Sequence, residues 1–407
     1  MAARAFVIVG ASLAGAKAAE TLRAEGFDGR VVLVGAEQDR PYERPPLSKE
    51  YLRGEAGSKP FVHEESFYAE HEIELRASTR VDSIDPAAGA VGLAGGETLE
   101  FDRLLLATGA EPRRLPLPGV EKDGVLSLRT VEDSDAIRAR IDAGGRLVSI
   151  GAGWVGAEVA ASARQRGCEV TLLDAVPLPL ERVLGPELGA IYREVHADHG
   201  VEFVGGAQVQ EIEGAGQVSA VRLADGRRIA ADFVVIGVGA APRVELAEAA
   251  GLRIDNGIAV DEQLRTSAPN VYAAGDVAAA HHPFYGTRIR VEHWSNALHQ
   301  GPAAARSMLD LAVSYDRIPY FFSDQYDVGM EYSGYASAWE EVVFRGDPAS
   351  REFIAFWLQD GRVHAGMNVN VWDVSGDIQA LIRARRPVDR ARLIDPEVPL
   401  AELLGEG

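Results

Sequence analysis

The first apolar run of the chain, Ala5–Val9, is rich in β-branched residues and passes directly into a glycine turn, Gly10-Ala-Ser-Leu-Ala-Gly15. An Ala-rich, helix-like stretch follows to Glu25, and a second apolar run, Val31–Val34, ends at Gly35-Ala-Glu37. About 140 residues later the order recurs. Leu147–Ile150 leads into Gly151-Ala-Gly-Trp-Val-Gly156, an Ala-rich helix to Arg166, a strand Glu169–Leu173, and Asp174. Strand, glycine turn, helix, strand and acid, in that order, is the βαβ pattern of a parallel sheet.

Shorter alternating runs lie around these units. Ala90–Leu93 and Thr98–Phe101, joined through Gly95-Gly96, read as a hairpin, and so do Val218–Leu223 and Arg228–Ala230, joined through Asp225-Gly226. Two more apolar strands end on glycine: Leu104–Ala107 before Thr108-Gly109, and Phe233–Ile236 before Gly237-Val-Gly239. Beyond Ile318 aromatic residues become dense (Tyr320, Phe321, Phe322, Tyr326, Tyr332) and alternate with polar ones, the texture of an antiparallel sheet. The pattern predicts an α/β protein with two Rossmann-like dinucleotide-binding domains and a C-terminal α+β domain.

Length and charge narrow the classes of function. A chain of 407 residues predicts two or three domains. A formal net charge of −20 argues against a broad nucleic-acid surface and against adhesion to an anionic membrane. The one cysteine, Cys168, permits no intramolecular disulfide. Met1–Arg4 run straight into the first strand without the pattern of a signal peptide. No run approaches the roughly 20 apolar residues that span a bilayer, so a cytoplasmic protein is expected. The nine histidines show no metal spacing, and the adjacent pair His281-His282 reads as a turn near the cofactor.

The chemistry is concentrated in the glycine turns. Gly151, Gly153 and Gly156 permit a tight turn, a close approach to a pyrophosphate and close packing of helix on strand. The phosphates then sit at a helix N-terminus, where free N–H groups and the dipole favour anions. The first turn departs from this pattern, with Ser12 at the middle position, while Glu37 stands where an acid can hold a ribose. The stretch Thr266–Asp276 ends a short strand with Gly275 and Asp276; that acid either accepts hydrogen bonds from a sugar-alcohol chain or caps a following helix.

Taken together, Gly10–Gly15, Arg44-Pro-Pro-Leu-Ser-Lys49, Leu104–Gly109, Gly151–Glu158, Gly237–Ala240, Tyr272–Asp276 and Val291-Glu-His-Trp294 resemble the FAD- and NADH-dependent ferredoxin reductases of bacterial oxygenase systems, along the whole chain. The resemblance implies a glutathione-reductase-like architecture: an FAD domain from residues 1–110 and 241–318, an NAD domain from 111–240, and a C-terminal domain, 319–407. It implies FAD and NAD (as NADH) as cofactors and a 2Fe–2S ferredoxin as partner. Carried over by position, Gly10, Ser12, Leu13, Ala14 and Gly15 would meet the FAD pyrophosphate and Glu37 its ribose. Arg44 and Lys49 would lie near the flavin, Val81 would meet adenine through its backbone, and Arg129 would contact FAD. Ala107, Thr108, Gly109, Gly275, Asp276, Glu292, His293 and Trp294 complete the FAD set, with Asp276 on the ribityl chain. For NADH the resemblance implies Gly151, Gly153, Trp154, Val155, Gly156, Asp174, Arg182 and Gly239. Asp174 stands where glutamate is common in such proteins.

Lys49 and Glu158 are expected, on the same resemblance, to meet near flavin N5, where a lysine offsets the charge of reduced flavin; an ion pair that fastens two domains is the other reading. Disulfide reductases of this architecture need redox cysteines beside the flavin, and Arg44–Lys49 contains no sulfur, so Cys168 reads as a packed thiol. The expected activity is electron transfer from NADH through FAD to a ferredoxin that supplies a monooxygenase or dioxygenase. An NADH oxidase or quinone-type reductase, and a redox-sensing binding protein like apoptosis-inducing factor, are the alternatives. The basic run Arg383, Arg385, Arg386, Arg390 and Arg392 is either a solvated face or a dock for an acidic carrier, with Arg288 and Arg290 as rivals.

Overall fold

The computed structural model describes residues 4–404. The N-terminal reading also covered Met1–Ala3, which lie outside the described residues. The chain forms two compact units. One takes the residues up to Glu43, Lys59–Glu111 and Ala240–Arg317; the other takes Arg44–Ser58, Pro112–Gly239 and the residues from Ile318 on. The excursion Arg44–Ser58 belongs with the second unit, for which the sequence pattern offered no signal. Its apolar side chains explain the placement: Leu52 packs in the cluster that holds Ile137, Val159 and Phe233.

The first unit is built on a five-stranded parallel sheet in the order Val271–Ala273, Arg103–Leu106, Ala5–Val9, Arg30–Val34, Ile73–Arg76. Its central strands are buried along almost their full length, from Phe6 to Val9 and from Val31 to Val34. Burial on both faces is why these strands read as continuous apolar runs rather than alternating ones. The helices Leu13–Ala24 and Trp294–Met308 pack closely, and a Cβ on Gly301 would meet the Ala14 carbonyl oxygen at 2.3 Å. A three-stranded antiparallel sheet, Val81–Asp85, Ala90–Leu93 and Thr98–Glu100, contains the expected hairpin.

The second unit repeats the plan. Its parallel sheet runs Glu202–Val204, Glu169–Leu173, Arg146–Ile150, Phe233–Ile236, Val125–Leu126. Residues from Ile318 on form a five-stranded antiparallel sheet, Tyr320–Gln325, Val328–Gly334, Arg362–Val369, Glu352–Gln359, Glu341–Asp347, with the helix Ser375–Ala384 against it. The aromatic texture of this segment comes from its buried face, where Phe321 stacks on Tyr332 and Tyr332 meets Trp357 edge-on. The architecture is glutathione-reductase-like: two Rossmann-like α/β elements plus a C-terminal α+β element.

One expectation changes. His281 and His282 do not form a turn; both lie on the strand Ala278–His282, paired with Thr287–Arg290. Strand alternation turns the buried His282 inward, where its Nε2 meets the Arg317 carbonyl oxygen at 2.9 Å. Among the described residues no cluster of histidines, cysteines or acids could hold a metal, and no helix is long and apolar enough to cross a membrane.

Candidate active site

In each parallel sheet the glycine turn leaves the carboxyl end of the central strand at the point where neighbouring connections diverge, the usual ligand site of such sheets. Gly10 has φ +121°, and a Cβ there would lie 2.0 Å from the Ala107 carbonyl oxygen. Gly15 faces the Gly10 carbonyl oxygen at the same 2.0 Å. The second turn matches: Gly151 has φ +101° and would press a Cβ against Gly237 O at 2.4 Å, and Gly156 would press one against Gly151 O at 1.9 Å. The outer glycines of both turns are therefore fixed by packing.

The middle position follows another rule. Ser12 is extended, with φ −123° and ψ −162°, so serine fits without strain. Gly153 has φ −76° and ψ −176°, and a Cβ there would meet nothing within 4 Å. Neither helix start is capped by a side chain, although serine is a natural cap. The first-turn N–H groups of both helices thus remain for an anion, which is what a bound pyrophosphate needs.

Within the first unit the structure gathers most of the positions named for FAD. A Cβ on Gly275 (φ +79°) would lie 3.2 Å from that of Ala14, and Gly275 N–H donates to Gln300 Oε1 at 2.9 Å. Asp276 lies inside the 3-10 turn Gly275–Val277, so it is not a helix cap. His293 is the N-cap of the helix that begins at Trp294; burial pushes its imidazole down to about 4, against the nearby Asp276 carboxylate. Arg290 donates to Asp276 O at 3.2 Å and pairs with Glu292, and its buried Nε has no hydrogen-bond partner among the described residues. An unspent cationic donor beside Asp276 fits an oxygen-rich ligand such as FAD. Thr108 Oγ1 donates to Arg243 O at 2.8 Å, and Gly109 (φ +71°) accepts Arg243 N–H at 3.0 Å. Glu37 accepts the hydroxyl of Tyr42, and its carbonyl oxygen holds Ser78 N–H at 2.8 Å, just ahead of the strand that Val81 begins.

The second unit holds the remaining positions. Lys49 Nζ and Glu158 Oε2 are 2.8 Å apart, with 6% and 7% of their side chains exposed. Lys49 also donates to Pro45 O at 3.1 Å, and Ser48 Oγ donates to the same Glu158 oxygen. Arg44 caps the 3-10 turn Pro45–Ser48 and donates to Arg129 O; Arg129 N–H in turn reaches Asp133 Oδ2 at 2.9 Å. Asp174 accepts Ala152 N–H at 2.7 Å and Val176 N–H at 3.0 Å, so its carboxylate ties the end of the strand Glu169–Leu173 to the glycine turn that follows the neighbouring strand Arg146–Ile150. Trp154 turns its ring into the C-terminal sheet, 5.0 Å from Phe321 and 6.2 Å from Tyr192. Val155 is 41% exposed beside it. Arg182 is exposed on the short helix Glu181–Leu184, and Leu180 N–H ahead of it donates to Ala152 O at 3.0 Å. Gly239 (φ +98°) accepts Arg113 N–H at 2.9 Å. Cys168 is 1% exposed in the core of this unit, and burial raises its thiol above the usual range.

Sequence reasoning missed Tyr42, Ser48 and Ser323. Serine carries no signature, and the partners of Ser48 and Ser323 lie 110 and 165 positions away.

The family model described as pyridine nucleotide-disulphide oxidoreductase matches residues 4–301, and the reductase C-terminal model matches residues 320–404. The chain belongs to that oxidoreductase family. It is 40% identical over 408 residues to the ferredoxin–NAD(+) reductase component of the anthranilate 1,2-dioxygenase system of Burkholderia cepacia, covering 99% of this chain and all of that one. It is 39% identical to the putidaredoxin reductase of Pseudomonas putida, covering 98% and 96% of the two chains. A crystal structure of the covalent putidaredoxin reductase–putidaredoxin complex superposes with a TM-score of 0.96 at 38% identity, covering 99% of each chain. The family name includes disulphide chemistry, yet this oxidoreductase has one cysteine, free and buried in the apolar cluster that holds Ile141 and Val170.

Proposed function

We propose that this oxidoreductase is an NADH-dependent ferredoxin reductase, passing electrons through bound FAD to a 2Fe–2S ferredoxin that supplies a monooxygenase or a dioxygenase. The observation that carries the reading is the end-to-end match to reductase components of such systems, joined to a chain without a redox cysteine pair. FAD would lie on the Gly10–Gly15 turn, with Leu13 and Ala14 against its pyrophosphate, Glu37 on its ribose, Val81 at its adenine, and Asp276 on its ribityl chain. Residues 1–110 and 241–318 would then form its domain, residues 111–240 that of NADH, and residues 319–407 the covering domain. NADH would lie on Gly151–Gly156 with its adenosine ribose at Asp174, and Trp154, Val155, Arg182 and Gly239 around it. When bound, FAD would supply the redox chemistry that side chains lack, accepting electrons in pairs and releasing them singly.

The protein's own contribution is electrostatic and geometric. Lys49 brings a buried ammonium whose hydrogen bonds to Glu158 and Pro45 O leave one of its three N–H groups for a ligand. Such a fixed donor in a dry site stabilises negative charge without reorganisation. Arg44, whose guanidinium donates to the Arg129 carbonyl oxygen, would lie with Arg129 along the FAD. The test is NADH oxidation by the purified holoenzyme with and without a purified 2Fe–2S ferredoxin, read by cytochrome c reduction. Ferredoxin should raise the rate well above that with oxygen or a quinone; equal rates in its absence would sink the reading in favour of an oxidase.

A further inference from the structure

The helix Trp154–Gln165 and the strand Tyr320–Gln325 meet along matched faces. Four residues of helix advance roughly 6 Å and two residues of strand about 6.6 Å. Trp154 and Glu158 are therefore spaced like Phe321 and Ser323. The aromatic contact of the first pair, at 5.0 Å, is followed one step later by a polar one: Ser323 Oγ donates to Glu158 Oε1 at 2.7 Å.

A chain of buried hydrogen bonds continues behind Ser323. Gln325 Nε2 donates to Ser323 Oγ at 3.3 Å, Gln325 Oε1 lies 3.0 Å from His196 Nε2, and the Tyr326 hydroxyl lies 3.3 Å from His196 Nδ1. Ser323 and Gln325 are 1% exposed and His196 0%. With the Gln325 amide nitrogen spent on Ser323, its oxygen accepts, so His196 carries its proton on Nε2 and accepts a hydrogen bond from the Tyr326 hydroxyl on Nδ1. Burial pushes His196 down to about 4, against its bond to Gln325, which keeps the ring neutral as this pattern requires. Every donor thus points toward Glu158, and aligned bonds of this kind polarise one another in the same sense.

We propose that Ser323, backed by Gln325, is a positioning residue for electron transfer: it holds the Glu158 carboxylate, and through it the Lys49 ammonium, in one place beside the flavin. This rests on the reading that Lys49 and Glu158 face the flavin. Glu158 Oε2 is shared by Lys49 and Ser48, whereas Oε1 accepts from Ser323. Without Ser323 the carboxylate draws more on Lys49, which is then less available to reduced flavin.

The test uses holoenzyme of Ser323→Ala, Ser323→Thr and Glu158→Gln. Its readouts are FAD content, flavin midpoint potential and the rate of flavin reduction by NADH in anaerobic stopped flow. Ser323→Ala should keep FAD and the Kd for NADH, slow reduction by about threefold to tenfold, the range of one net hydrogen bond, and move the potential to more negative values. Ser323→Thr should restore both. A wild-type rate and potential in Ser323→Ala, alongside altered values in Glu158→Gln, overturns the role of Ser323 alone. If Glu158→Gln also changes neither, the placement of the pair at the flavin fails, and the inference fails with it. Should Ser323→Ala lose its flavin, Ser323→Cys, with a weak donor of similar size, decides: slowed reduction supports the role and an unchanged rate overturns it.

Discussion

The two glycine turns of this reductase share their outer glycines and differ in what surrounds the helix that each begins. In the first unit Leu13 and Ala14 are 5% and 6% exposed, under the close packing of the Trp294–Met308 helix. In the second, Val155 at the corresponding turn is 41% exposed, and the helix it begins is held by polar bonds at Glu158 and Ser162. The acids differ too. Glu37 stands beyond the strand end and takes a side-chain hydroxyl, whereas Asp174 follows its strand directly and takes two backbone N–H groups of the turns around it. An enclosed turn suits a cofactor that stays, and an open one suits a cofactor that enters and leaves at every turnover. With FAD on the first turn and NADH on the second, as proposed, the same backbone device would serve retention in one unit and exchange in the other, and the packing around it would make the difference.

The strongest way to break this comparison is to disable each turn separately. Gly10→Ala and Gly151→Ala both force a side chain onto a positive φ and into a carbonyl oxygen. Gly10→Ala should purify without flavin. Gly151→Ala should keep one FAD per chain and stay yellow, while the KM for NADH rises on the order of a hundredfold, about 3 kcal/mol. Flavin absorbance and steady-state kinetics separate the two. Loss of FAD from Gly151→Ala would mean that the second turn does not serve NADH alone.

A smaller effect is expected at the acid of the open turn. Asp174→Ala removes two acceptors from backbone N–H groups and the carboxylate that would repel the extra phosphate of NADPH. Each such loss is worth ~1–3 kcal/mol, so kcat/KM for NADH should fall tenfold to a hundredfold with FAD content unchanged. Wild-type enzyme should favour NADH over NADPH at least tenfold, and the variant should narrow that ratio. A weakened but unnarrowed preference would leave Asp174 as a tie for the Ala152 turn only.

The parallel sheets were legible because burial on both faces writes strands as unbroken apolar runs, and because glycines fixed by packing mark where each run ends. Arg146–Ile150 and Glu169–Leu173 came through within a residue for that reason. Resemblance pairs Lys49 with Glu158, and the fold puts them 2.8 Å apart. What surrounds them was not legible. Ser48 and Ser323 reach Glu158 across 110 and 165 residues, and nothing in a serine's neighbours along the chain reports such a contact. His281-His282 misled for a related reason: adjacent histidines suggest a turn, but their pairing with Thr287 and Arg288 is a property of the opposite strand.

The finest distinction between the turns is the middle residue, and exchanging it sharpens the comparison most. Ser12 and Gly153 both have backbones that an L-residue adopts freely, so neither position needs glycine for its conformation. If Gly153 is glycine only because a pyrophosphate passes close to it, Gly153→Ser should leave the fold intact. It should also raise the KM for NADH about threefold to tenfold, since the added hydroxymethyl occupies open space on the ligand side. Ser12→Gly should leave FAD bound and destabilise the protein by only ~0.4–1 kcal/mol, through the greater freedom of the unfolded chain. Chemical denaturation of the two variants, with NADH kinetics on the first, measures both effects. A Gly153→Ser enzyme with an unchanged KM would show that the second turn tolerates serine as the first does, and the distinction between a retaining and an exchanging turn would then rest on the exposure of Val155 and its surroundings alone.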